Sequence, residues 1–298
     1  MSHLQAQPRE GDRSALLMLT LSSILWGGSF VSVKIGLDYV NPYDFAFLRL
    51  ATSAVILLAV FGTQRKFEST TFKEPSVWLL GVLNGLGFTL QFVGLLYTTA
   101  AKTALLVDMN VVVIAILSWR LFGESFVPRK QLGVVLGVLG AVMITTNGDL
   151  SILTQGQLVG DVLVFIAGLV WAVFIVLHKR FQASRTRNVI EMSATVQSIT
   201  ALSLLPMALI FGGLDIRSVS VPGWEWVAIS AVVCTVLPYA LWVSALRAVT
   251  ATIAAVFGML EVVSAMVLST LLLGEHYTDV TLLGAALVLT SILAVAET

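Results

Sequence analysis

Charge is scarce in this chain and cysteine is almost absent. Of 298 residues, 11% are charged and 57% are hydrophobic, with a mean hydropathy of +0.94. A soluble globule of this composition would have too little polar surface to cover its apolar remainder. The single cysteine, Cys234, permits no internal disulfide and reads as a small packing residue. His3, His178 and His276 all fall at ends or loops, so neither a metal cluster nor a mid-membrane acid–base histidine is expected. Zinc spacings, phosphate loops, nucleophile elbows and basic tracts interleaved with aromatics are all missing. The sequence therefore implies no cofactor, no metal and no nucleic-acid partner.

What the chain has instead is long apolar runs. Ten can be delimited, at 15–37, 43–62, 77–97, 103–121, 131–147, 158–178, 189–212, 223–246, 250–273 and 281–296. Most approach the ~20 residues that cross ~30 Å of hydrocarbon as a helix. They are continuously apolar rather than alternating, which argues against barrel strands. The expected fold is an all-α integral membrane protein whose first partner is the lipid bilayer.

The runs form two sets of five. Asn110-Val111-Val112, Ser118, Leu121, Gly123-Glu124 and Leu132-Gly133 recur, 151 residues later, as Glu261-Val262-Val263, Ser269, Leu272, Gly274-Glu275 and Leu283-Gly284. Trp26 and Lys34 are spaced like Trp171 and Lys179. A duplicated unit with an odd number of spans inserts its second copy upside down. The expectation is ten transmembrane helices as two inverted five-helix repeats around a central cavity, the construction of many secondary transporters. The divisions are 1–14 as a cytoplasmic tail, 15–147 as the first repeat and 158–298 as the second. With the N-terminus inside, thirteen basic residues fall on the cytoplasmic side. Only Lys34, Lys102 and Arg217 fall outside, and Arg49 lies within the second helix. Retention of basic residues during insertion then places both termini in the cytoplasm.

A charge at mid-bilayer needs a partner or an aqueous cavity, so Arg49, Asp108 and Glu261 are the leading candidates. Glu261 is read as a substrate-amine or proton site, or else as a salt-bridge partner of Arg49 or a lysine. Arg49 is read as structural, or as a fork for a solute carboxylate. Asp108 would gate the outer mouth or pair with Lys102. It is expected about 200° from Asn110, the repeat mate of Glu261, so the two are not expected to face one cavity directly. Asn84 and Gln91 share one face of the third helix and could bond a polar solute or bridge to a neighbouring helix. Trp26, Trp171, Tyr239 and Trp242 offer rings to wall the path or to pack the core. Pro238 breaks the eighth helix and is a candidate hinge. Lys34 and Lys179 are expected to snorkel to opposite surfaces. The fifth and tenth helices, nearly free of polar groups, are expected at the periphery, facing lipid or a second copy of the chain.

Trp26-Gly27, Asn41-Pro42 with Leu48-Arg49, Leu121-Phe122-Gly123-Glu124 and Leu273-Gly274-Glu275, in this order within ten segments, resemble the EamA-type branch of the drug/metabolite transporter superfamily. The resemblance covers nearly the whole chain. It implies an inner-membrane carrier with a cavity alternately open to each side, and many such carriers export amino acids, metabolites or toxic compounds. The family commonly has proline in its fourth and ninth helices, where this chain reads Asp108-Met109-Asn110 and Glu261-Val262. The functional expectation is export of a small organic solute by alternating access, with protons as candidate coupling ion and no enzymatic activity. An uncoupled facilitator and a membrane-embedded lipid enzyme are the alternatives.

Overall fold

The computed structural model describes residues 13–63, 73–98, 103, 106–124, 127–155, 157–183, 189–274 and 276–296. Lys102, Glu275 and the basic loop at 184–188 lie outside them. The described chain is helical: α1 Arg13–Gly36, α2 Pro42–Thr63, α3 Pro75–Leu95, α4 Asn110–Phe122, α5 Pro128–Thr146, α6 Leu158–Ala183, α7 Val189–Met207, α8 Val221–Ala231, α9 Leu237–Ala245, α10 Ala251–Gly258, α11 Leu260–Leu273 and α12 Asp279–Ala296. Among the described residues, nine helical stretches are long and apolar enough to cross a membrane. Two of them join consecutive elements, α8 with α9 and α10 with α11. The fourth expected segment is described as helix over Asn110–Phe122, beyond a short helical piece at 106–108.

Local chemistry sets the helix ends. Pro75 and Pro128 sit in the first turn, where the missing N–H costs nothing. Gly123 and Gly274, the glycines of the repeated signature, end α4 and α11 in the left-handed conformation, at φ 64° and 68°. A side chain is strained there, so the shared glycine is a helix stop.

Helices α5 and α12 lie side by side and run antiparallel. Along α5 and α12, Gly133 faces Ser291 and Val295, Gly140 faces Gly284 and Val288, and Asn147 accepts hydrogen bonds from Thr278 and Thr281. The expected peripheral pair thus packs against itself, with Leu132, Val135, Leu139, Leu282, Leu289 and Leu293 exposed on its outer side. At the start of α2, Asn41 donates to the Gly212 carbonyl beyond the end of α7, and Asp44 accepts from Leu214 N. Helix α1 runs parallel to α11 and antiparallel to α8–α9, where Ser22 donates to Pro238 O and Ser32 meets Ser230. Helix α6 runs antiparallel to α3, with Gly160 beside Gly94 and Trp171 beside Gly87. The bundle therefore has a terminal face, where α1 begins and α12 ends, and an opposite face.

Candidate functional site

The helices that carry the mid-depth acids are broken. Met109 and Met259, at φ/ψ of −60°/−13° and −60°/−16°, interrupt the fourth and ninth segments one residue apart in the repeat alignment. Val112 N bonds to Met109 O and Val262 N to Met259 O, each a tightened i→i−3 contact. Both breaks form without the proline that the family resemblance led one to expect. Asp108 and Asn110 flank the first break, and Glu261 lies in the first turn beyond the second. Asp108 precedes the break and Asn110 follows it. Glu261 lies within electrostatic range of both Asp108 and Arg49. One carboxylate oxygen of Asp108 is buried with no hydrogen-bond partner. Asn110 and Gln91 are half-buried.

Helix α1 reaches this level through Gly27. A Cβ there would sit 2.6 Å from the Glu261 carbonyl oxygen and 2.5 Å from Ser264 Cβ, so only glycine permits the approach. Ser23 adds a hydrogen bond to Phe257 O at 2.9 Å.

Arg49 joins three helices. Its Nε donates to Thr235 Oγ1 at 2.7 Å, Nη1 to Ser29 Oγ at 2.8 Å and Nη2 to the Cys234 carbonyl at 3.0 Å. Pro238 explains the last bond. It has no N–H to offer the carbonyl four residues earlier, which is that of Cys234, and the chain passes through a π turn at Val232–Val236. Arg49 also lines a narrow crevice between α1, α2 and α3.

Asn84 is fully engaged in holding helices together. Its Oδ1 accepts from Trp171 Nε1 at 3.1 Å and its Nδ2 donates to Thr200 Oγ1 at 3.1 Å. Phe88 meets the Trp171 ring edge-on at 5.2 Å between centroids.

Toward the terminal face the path is filled by rings. Trp242 stacks on Phe174 at 6.4 Å and meets Trp26 at 6.3 Å, His178 at 5.3 Å and Tyr239 at 6.1 Å. Tyr239 and Trp242 are each 5% exposed. His178, expected at a helix end, is instead wholly buried inside the bundle with Nε2 3.2 Å from the Tyr239 hydroxyl. The apolar run stops at 178, but α6 continues to Ala183 and carries the imidazole in among neighbouring helices.

Lys179 also departs from expectation. It does not snorkel outward: it is 7% exposed, and Nζ donates to the carbonyls of Leu246 and Val249, both at 2.5 Å. Glu124 works the other end of the same turn, accepting from Ala251 N and Thr252 Oγ1, both at 3.1 Å. A cation thus caps the end of α9 and an anion the start of α10, as helix dipoles favour. The two charges also attract each other. The repeated Gly-Glu pair was visible in the sequence, but its hydrogen-bond partners were not. Lys179→Met is expected to cost about 2 kcal/mol, because two carbonyls lose a charged donor. Combined with Glu124→Gln, the cost should be less than additive in thermal denaturation of the detergent-solubilised protein.

Residues 13–146 and 158–296 each match the EamA-like transporter family. An uncharacterized transporter of Archaeoglobus fulgidus is 30% identical over 246 residues, covering 81% of this chain and 83% of that protein. The uncharacterized transporter YyaM of Bacillus subtilis is 26% identical over 284 residues, covering 93% and 92%. A crystal structure superposes with a TM-score of 0.80 at 18% identity, over 95% of this chain and 97% of that one, a likeness of fold. With both halves matched and helices suited to lipid throughout, this chain belongs to the EamA-like transporter family and is a multi-pass membrane transporter.

Proposed function

We propose that the chain exports small organic solutes, amino acids or amine-bearing and toxic compounds among them, by alternating access of two inverted five-helix repeats at 15–147 and 158–298. The observation that carries this reading is that Glu261 and Asp108 come within electrostatic range of each other, on two interrupted segments at matching places in the repeat. Broken helices with polar groups at half depth are how carriers build a site inside lipid. The ring layer around Trp242 closes the terminal face, while the crevice beside Arg49 opens the other way. Protons are the proposed coupling ion, with Glu261 and Asp108 as their carriers. The proposed location is the inner membrane with both termini cytoplasmic.

The test is solute counterflow in proteoliposomes. Amino acids, nucleosides and quaternary amines that raise the melting temperature of the purified protein are chosen first, since ligands stabilise the state they bind. Accumulation of labelled solute against unlabelled solute is the expected result. Failure of every stabilising ligand to exchange would reject the carrier mechanism.

A further inference from the structure

Arg49 brings a positive charge into the bundle without an anion in contact with it. Its three hydrogen bonds end on two hydroxyls and a carbonyl. Among the described residues no carboxylate lies within ion-pair distance of it. A buried charge in a membrane protein costs several kcal/mol, and neutral dipoles offset only part of that cost. A guanidinium has five N–H donors, so two remain after these three bonds.

Arg49 is the charged residue in the lining of the crevice; the rest of that wall is apolar and includes Val33, Phe45, Ala46, Leu50, Phe88 and Phe92. We propose that Arg49 anchors the carboxylate of the transported solute, and that the solute is a monocarboxylate whose apolar body lies against Phe88 and Phe92. This inference rests on the transporter reading above and narrows its substrate class. The planar guanidinium matches the two oxygens of a carboxylate. Its three existing bonds hold it in place, so little ordering is needed on binding. Glu261 lies within electrostatic range of Arg49 and Asp108 within range of Glu261, which disfavours a ligand with more than one negative charge.

Three probes of one shape test the proposal on the full-length protein in detergent: 3-phenylpropanoate, 3-phenylpropanamide and 3-phenylpropylamine. The acid is expected to raise the melting temperature in a concentration-dependent way, and the amide and amine to leave it unchanged. Arg49→Lys keeps the charge but loses the fork, and should weaken the acid at least tenfold. Val33→Phe fills the crevice without touching the three Arg49 bonds, and should remove the acid's effect even if Arg49→Lys fails to fold. Equal stabilisation by the amide, stabilisation by the amine alone, survival of the acid's effect in Val33→Phe, or no shift at all would overturn the proposal. So would binding of hexadecanoate with the short acid silent, because the anion would then come from lipid. Binding is read here without transport. An acid that binds but does not exchange while other solutes do, or exchange of other solutes without acid binding, rejects this inference alone, whereas failure of every stabilising ligand to exchange, the acid included, rejects the transporter reading.

Discussion

Glu261→Gln is expected to cut uptake driven by a pH gradient by roughly two orders of magnitude, the scale of a lost proton-transfer group, while solute counterflow without a gradient continues. Glutamine keeps the size and hydrogen-bonding capacity of the side chain and removes only its ability to ionise. Glu261 and Asp108 repel when both are charged, since each lies in a poorly screened interior within range of the other. A proton relieves that repulsion. Asp108→Asn should show a smaller loss, because Glu261 can still exchange the proton. Undiminished pH-driven uptake by Glu261→Gln would remove Glu261 from the coupling role.

Gly27→Val should both destabilise the protein, by about 3 kcal/mol or more, and abolish counterflow. A Cβ at this position meets Ser264 Cβ at 2.5 Å, the Glu261 carbonyl oxygen at 2.6 Å and Ala265 N at 2.8 Å. Two of these three atoms are backbone within α11, so the relief must come from α1 backing away. That retreat strains the Ser23–Phe257 and Ser22–Pro238 hydrogen bonds, both about one turn nearer the start of α1. Gly28→Ala is the control, because its Cβ would meet only Leu268 Cδ1, at 3.5 Å. It should melt within about 0.5 kcal/mol of the parent. A wild-type melting curve for Gly27→Val would show that α1 does not approach α11 so closely.

The features legible from sequence were those with a local or periodic cause. Apolar runs mark where a helix can meet hydrocarbon, and the repeated Gly-Glu endings mark matched helix stops. What stayed hidden depends on which helices become neighbours. The Lys179 partners lie 67 and 70 residues away, and those of Arg49 include groups 185 and 186 residues away. His178 looked terminal because hydropathy falls where its helix continues. The break at Met109 carries no proline or glycine to announce it, and the one at Met259 has only Gly258 before it. Asn84 looked like a cavity amide, yet both ends of its amide are already engaged, by Trp171 and Thr200.

The glycine seam between α5 and α12 has a mechanical consequence. A Cβ on Gly140 would lie 2.6 Å from the Gly284 oxygen, and one on Gly284 would lie 2.8 Å from the Gly140 oxygen. Contact this intimate between two backbones leaves no room for a side chain on either glycine, so this pair of helices must shift together or not at all.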